Sequence, residues 1–233
     1  MSKEEKILVA NKVRRVGESD YDRLILRTHV VTEEDEILDV VSTYCKNFIK
    51  DEDDIIFLSE KMVACTQQRA IPMDSIKPRR LAKVLSHFVT KTSAGIGLGI
   101  PETMEMALQE CGTPRILFAA SASIVGKLFH KRGWFYIVAG EKARGIDGPC
   151  EYTLPPYNHY VVLLPESPDK VAREVAQKLK CKVAVIDAND LGINIIGVSD
   201  DTIEKELLCD ILRDNPLGQE DECTPMGIIR KVG

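Results

Sequence analysis

Residues 183–192 read Val-Ala-Val-Ile-Asp-Ala-Asn-Asp-Leu-Gly, an apolar run that passes straight into Asp187, Asn189 and Asp190. A strand end is a rigid mount for carboxylates, and the glycine lets the backbone turn sharply beside them. Carboxylates held in that way suit a hard divalent cation such as magnesium or manganese, and through it a phosphate. The same residues also describe an ordinary strand-to-turn junction, because Asp and Asn side chains bond to nearby backbone. Two basic runs, Lys77-Pro78-Arg79-Arg80 and His130-Lys131-Arg132, read either as anion contacts or as solvated surface. The seven cysteines are dispersed and include no close pair at metal-ligand spacing.

Composition narrows the function classes. The 233 residues are 44% hydrophobic and 29% charged, ordinary for a globular chain able to bury a sizeable core. A net charge of −5 argues against an electrostatic nucleic-acid binder. The start is charged and has no signal-like apolar stretch, and no apolar run reaches membrane-spanning length. Dispersed thiols without a leader read as reduced, so a cytoplasmic protein with no membrane partner is expected.

Hydrophobic periodicity predicts strands over 6–10, 24–26, 55–58, 115–120, 134–140, 160–164, 183–186 and 226–230. It predicts helices over 33–48 with Thr32 as N-cap, from Pro78 to about Phe88, over 102–110, and from Pro168 to Leu179. Residues 59–69 read as a mixed polar stretch, 94–101 as a glycine-rich loop, and 143–150 and 215–225 as loops. Strands and helices interleave, so the expected class is α+β (mixed α/β). No compositional break marks a boundary, so a single domain over 1–233 is expected, with residues 1–20 as an N-terminal extension.

Several pieces, in order, resemble the coenzyme F420-0:L-glutamate ligase (gamma-glutamyl ligase) family. They are Asp53-Asp54-Ile55 with the stretch from Lys61 to Arg69, the Gly145-Ile146-Asp147 loop, residues 163–169, Ile186-Asp187, and Gly218-Gln219. Residues 76–82, 95–99, 146–150, 187–192 and 215–219 are similar in style to a bacterial, uncharacterised ligase-like subgroup. Such ligases add glutamate to a deazaflavin precursor, so the resemblance implies their fold, a homodimer, GTP or ATP as cosubstrate, and magnesium or manganese. It implies metal ligands at Asp147, at Asp187 or Asp190, and at Gln219 or Glu222 in the tail. It implies Lys61 and Arg69 for phosphate or an acyl phosphate, and Arg144 for a substrate carboxylate. His29 falls where the family places a nucleotide-contacting loop.

The chain also departs from that pattern. Glu60 stands where the family has a contacting serine, Cys65 for a lysine, Gln67 for a glutamate, Cys150 for an asparagine, and Ile193 for an arginine. Exchanging a phosphate-contacting lysine for a thiol removes a charge-assisted contact of about 1.5–3 kcal/mol. Glu60 would repel phosphate or supply a further metal ligand. The expected function is therefore metal- and nucleotide-dependent amide ligation of an amino acid to a small carboxylic acid. Two other readings stay open: a non-ligating nucleotide- or metabolite-binding paralogue, and a thiol- or soft-metal-dependent enzyme using Cys65 and Cys150.

Overall fold

Period-two burial on both faces builds the main sheet of the computed structural model, which describes residues 7–89, 96–131, 133–151, 153–189, 192–218 and 222–232. Its strands are β1 (Leu8–Val16), β2 (Ser19–Leu26), β3 (Ile55–Ser59), β6 (Lys182–Asn189), β7 (Gly192–Val198) and β8 (Met226–Val232), in the spatial order β1-β2-β8-β3-β6-β7. Only β3 and β6 pair in parallel; the remaining neighbours are antiparallel. Two further strands, β4 (Ala70–Pro72) and β5 (Tyr160–Val162), form a separate antiparallel pair. This mixed sheet with interleaved helices is the expected α+β class. Contacts divide the chain into two compact units, Met1–Gln68 with Pro165–Gly233, and Arg69–Leu164. Neither join is marked by a shift in composition.

In the first unit, Ile56, Leu58, Val183 and Val185 point to one face, where they pack with Val41 and Cys45 of α1 (Ile37–Cys45) and with Val171 and Val175 of α8 (Pro168–Leu179). Phe57, Ala184 and Ile186 point to the other, against Leu208, Ile211 and Leu212 of α9 (Lys205–Leu212). Alternation sends successive side chains to opposite faces, and a sheet covered on both sides buries every strand position in turn. Asp54, 1% exposed, leads into β3 and receives Arg230 of β8 at Nε (2.9 Å) and Nη2 (2.5 Å). The α8 start follows its letters: Pro168 in the first turn, then Asp169, whose Oδ1 accepts the Val198 N–H at 2.8 Å.

In the second unit, α3 (Arg80–Ser86), α4 (Pro101–Glu110), α5 (Thr113–Leu128), α6 (Trp134–Ala139) and α7 (Glu141–Arg144) share a core around Leu98, Met104, Ile116, Ile146 and Val161. Four expectations are corrected. Residues 115–120 are not a strand but the start of α5: Pro114 lies in its first turn, and Ile116, Ala119 and Gly126 turn inward at helical spacing. Residues 134–139 are also helical, with Gly133 and Gly140 at its ends both at positive φ. Aromatic and β-branched letters favour a strand locally, and packing against the helices overrides that preference. The stretch after β3 is α2 (Glu60–Thr66), with Met62 and Val63 buried against the sheet. Thr32 caps no helix, because α1 begins at Ile37. β7 and α9 are additional elements that the periodicity reading left without an assignment.

Candidate functional site

The topology decides which polar residues meet in the first unit. β3 and β6 run parallel to the pair Ser59–Ile186, so their carboxyl ends point to one edge of the sheet, β3 stopping there and β6 continuing to Asn189. β8 is antiparallel to β3 and β2, with Met226 paired to Leu58 and Leu26, so its beginning and the end of β2 lie at that same edge. Thr28 and His29 follow β2, Glu60 and Lys61 follow β3, Asp187 follows Ile186, and Glu222 precedes β8. Two backbone bonds, Ser59 N–H to Pro225 O (2.8 Å) and Thr28 N–H to Cys223 O (2.9 Å), and one from the Arg27 side chain, Nε to the Glu222 carbonyl (3.1 Å), tie these segments together. The carboxyl ends of sheet strands are where open α/β sheets present ligand-binding groups.

The side chains there differ in access. Glu60 is buried and Lys61 exposed at the start of α2, while Cys65, 6% exposed, is packed inside it. Asp187 is half-buried. It is not at the end of its strand, since β6 continues to Asn189 as a hairpin with β7 and Asp187 faces Asn194. Asp187 is nevertheless the first residue beyond the parallel pairing with β3, so a carboxylate does stand where that pairing stops. Gly218, with φ at +80°, lies beneath Glu222: a Cβ there would meet Glu222 Oε1 at 2.5 Å. The turn at 218 therefore requires glycine to bring the carboxylate close.

His29 is held from both sides. Its Nδ1 lies 2.9 Å from Tyr44 Oη and its Nε2 lies 3.0 Å from Asp35 Oδ1. Tyr44 Oη also accepts the His29 backbone N–H at 3.1 Å. Burial pushes the Asp35 carboxyl up, but the Thr32 backbone N–H, the His29 ring and the Thr32 hydroxyl together bring it below its ordinary value. Neither Asp35 nor Tyr44 was singled out from the sequence. The signal was the Thr32-x-x-Asp35 spacing, which makes a local turn rather than a helix cap: Asp35 Oδ2 accepts Thr32 N–H at 2.8 Å and Thr32 Oγ1 at 3.2 Å. His29, Asp35, Glu36, Asp39, Thr43 and Tyr44 line an acid-rich depression beside this turn.

The other candidates belong to the second unit. Arg69 leads into β4, donates from Nε to Leu164 O, and pairs through Nη2 with Glu110 of α4 at 2.5 Å. Arg144 is exposed at the end of α7 and pairs with Glu141 at 3.1 Å. Asp147 is half-buried and joined by backbone bonds in both directions to Val162, at 2.9 and 3.0 Å. Two residues earlier, a Cβ on Gly145 would fall 2.2 Å from Leu164 Cγ. Cys150 is exposed.

Asp190 and Gln219 lie outside the described residues. The oxygen donors Glu60, Asp187 and Glu222 are of the kind a hard cation takes. Among the described residues, however, no three His, Cys, Asp or Glu side chains converge to hold a metal ion, hard or soft. The described residues alone therefore do not make a complete metal site. Among them, no helix is long and apolar enough to cross a membrane.

The family model described as F420-0:Gamma-glutamyl ligase matches residues 25–195. A search of curated proteins returned no match. The matched stretch includes the ends of β2, β3 and β6 and all of the second unit, and it stops short of the tail that carries Glu222.

Proposed function

This chain belongs to the F420-0:gamma-glutamyl ligase family, and from that premise we propose that it joins an amino acid to a small carboxylic acid through an amide bond, using GTP or ATP and a divalent cation, magnesium or manganese. The observation that carries the reading is the gathering of His29, Glu60, Lys61, Asp187 and Glu222 at one edge of the first unit's sheet.

The chemistry asks for modest means. The substrate carboxylate takes the γ-phosphoryl group and releases the nucleoside diphosphate. The amine then attacks the acyl phosphate carbon, expels phosphate and loses a proton. Lys61, exposed at the start of α2, supplies a cation for phosphate oxygens. The bound cation would neutralise triphosphate charge, and Asp187 and Glu222 are its candidate donors. In the second unit, Asp147 and Arg144 remain the candidates for cation and substrate carboxylate.

A non-ligating relative is the second reading, and two positions favour it. Glu60 places a buried carboxylate where the family contacts nucleotide, and Cys65 is enclosed within α2. The deciding experiment is thermal denaturation with GTP or ATP and manganese, followed by phosphate release with L-glutamate and a panel of carboxylic acids. Ligation predicts a rise in melting temperature that needs nucleotide and metal together, release that needs both acids, and loss of both effects in Asp187→Asn. Binding without turnover selects the relative. No shift with any nucleotide–metal pair sinks both.

A further inference from the structure

Amide ligation leaves one proton that needs an acceptor. The incoming amine arrives as an ammonium with three protons: one stays on the amide, one departs with the phosphate, and the third requires a base. Imidazole is the side chain best suited to take up a proton near neutrality. His29 follows β2 at the sheet edge that also carries Lys61, Asp187 and Glu222, and the other three histidines belong to the second unit.

His29 is fixed in place by its neighbours on both backbone and ring. Its N–H donates to Tyr44 Oη at 3.1 Å, and its carbonyl accepts the Thr28 hydroxyl at 2.6 Å. Its ring lies between Tyr44 Oη at Nδ1 and Asp35 Oδ1 at Nε2. Tyr44 sits in the last turn of α1, and its neighbour Cys45 donates a thiol hydrogen bond to Met226 Sδ at 3.3 Å. Met226 opens β8 at the same edge, so the end of α1 and the loop after β2 meet where the β3 and β6 pairing stops. The Asp35 carboxyl titrates below its ordinary value despite burial, so it is ionised near neutral pH. An ionised carboxylate only accepts hydrogen bonds, so its contact favours a proton on Nε2 and leaves Nδ1 to accept from the Tyr44 hydroxyl.

We propose that Tyr44, His29 and Asp35 form the chain that takes the proton from the attacking amine, an inference that rests on the ligase reading. As the amine nitrogen bonds to the acyl carbon and the bond from that carbon to the phosphate oxygen breaks, the Tyr44 hydroxyl takes a proton from the nitrogen. It passes its own proton to Nδ1, and Asp35 stabilises the resulting imidazolium through Nε2. Tyr44 is then the catalytic residue, because it touches the amine, and His29 and Asp35 act through it. Hydroxyl, imidazole and carboxylate in that order follow the general logic of a base oriented by a third group. Glu34, Glu36 and Asp39 also border the depression, and no lysine or arginine is among the described residues that line it. Their charges suit an arriving ammonium and oppose a carboxylate.

The test separates the two half-reactions. Hydroxylamine is uncharged near neutrality and captures an acyl phosphate as the hydroxamate without help from a base. Wild type, Tyr44→Phe and His29→Gln are assayed with GTP or ATP, manganese and a panel of carboxylic acids, with either amino acids or hydroxylamine as the nucleophile. Amide formation is expected to fall about a hundredfold or more in both variants, while hydroxamate formation and the nucleotide–metal rise in melting temperature stay near wild type. Variants that form amide at close to the wild-type rate overturn the proposal. So does a parallel fall of amide and hydroxamate, or loss of the melting shift, since the three residues then serve the fold or the nucleotide. A wild type that forms no amide ends the ligase reading and takes this one with it, whereas amide from wild type and variants alike sinks the proton chain alone.

Discussion

Arg69 shows how a residue picked for chemistry acquires a structural duty. Its guanidinium joins β4 to α4 through Glu110 and to Leu164 O, with only 12% of the side chain exposed. Arg69→Ala should therefore lose about 1–3 kcal/mol in urea unfolding, because Glu110 and the Leu164 carbonyl lose a charged donor. If Arg69 also meets phosphate, nucleotide affinity in the variant should fall at temperatures where it remains fully folded. Unchanged affinity there would leave it a structural arginine only. Gly145 is more constrained than its place in a motif suggests. Gly145→Ala sets a Cβ 2.2 Å from Leu164 Cγ, and overpacking of this kind costs about 1–3 kcal/mol. An unaltered urea midpoint would show that Leu164 moves aside freely.

At the scale of elements, strand pairing is secured by a few ion pairs as well as by apolar alternation. Asp54 holds Arg230 and also accepts the Lys50 N–H at 2.8 Å, so it fastens the start of β3 to β8 and to the turn before it. Removing one partner of such a pair leaves a charge stranded, at a cost of about 3–5 kcal/mol. Asp54→Ala should show that loss in chemical denaturation, and the double change with Arg230→Met should recover most of it. No recovery would mean that the turn bonds, not the ion pair, carry the effect. Helices α5 and α6 carry the opposite lesson, since their letters favour strands and the packed helices around them decide.

For the molecule as a whole, several carboxyls titrate below their ordinary range. Burial pushes Asp214 and Glu105 up, but Arg23 at Asp214, and Arg79 with Gln109 at Glu105, outweigh it; Asp200 is lowered chiefly by the Thr202 hydroxyl. A depressed folded value means the unfolded chain binds protons first, so the stabilisation is complete above the unfolded carboxyl values of about 3.9–4.3. It is lost as pH falls through the folded ones. The melting temperature should be flat from about pH 8 to 5 and drop below about 4, with a shallower acid limb in Asp214→Asn. An identical limb in that variant would assign the acid loss to other groups.

The sequence by itself determined the α+β class, the strands at β3, β6 and β8, the helix α8, and the carboxylate at Asp187. These follow from local letters: alternation of apolar residues, Pro168 followed by Asp169, and an acid placed after an apolar run. It did not determine α2, β7, α9 or the helical state of residues 113–128 and 134–139, where propensity and burial disagree or the pattern is short. Only the tertiary structure set His29, Glu60, Lys61, Asp187 and Glu222 at one sheet edge, because the parallel β3–β6 pairing and the antiparallel return of β8 join segments far apart in the chain.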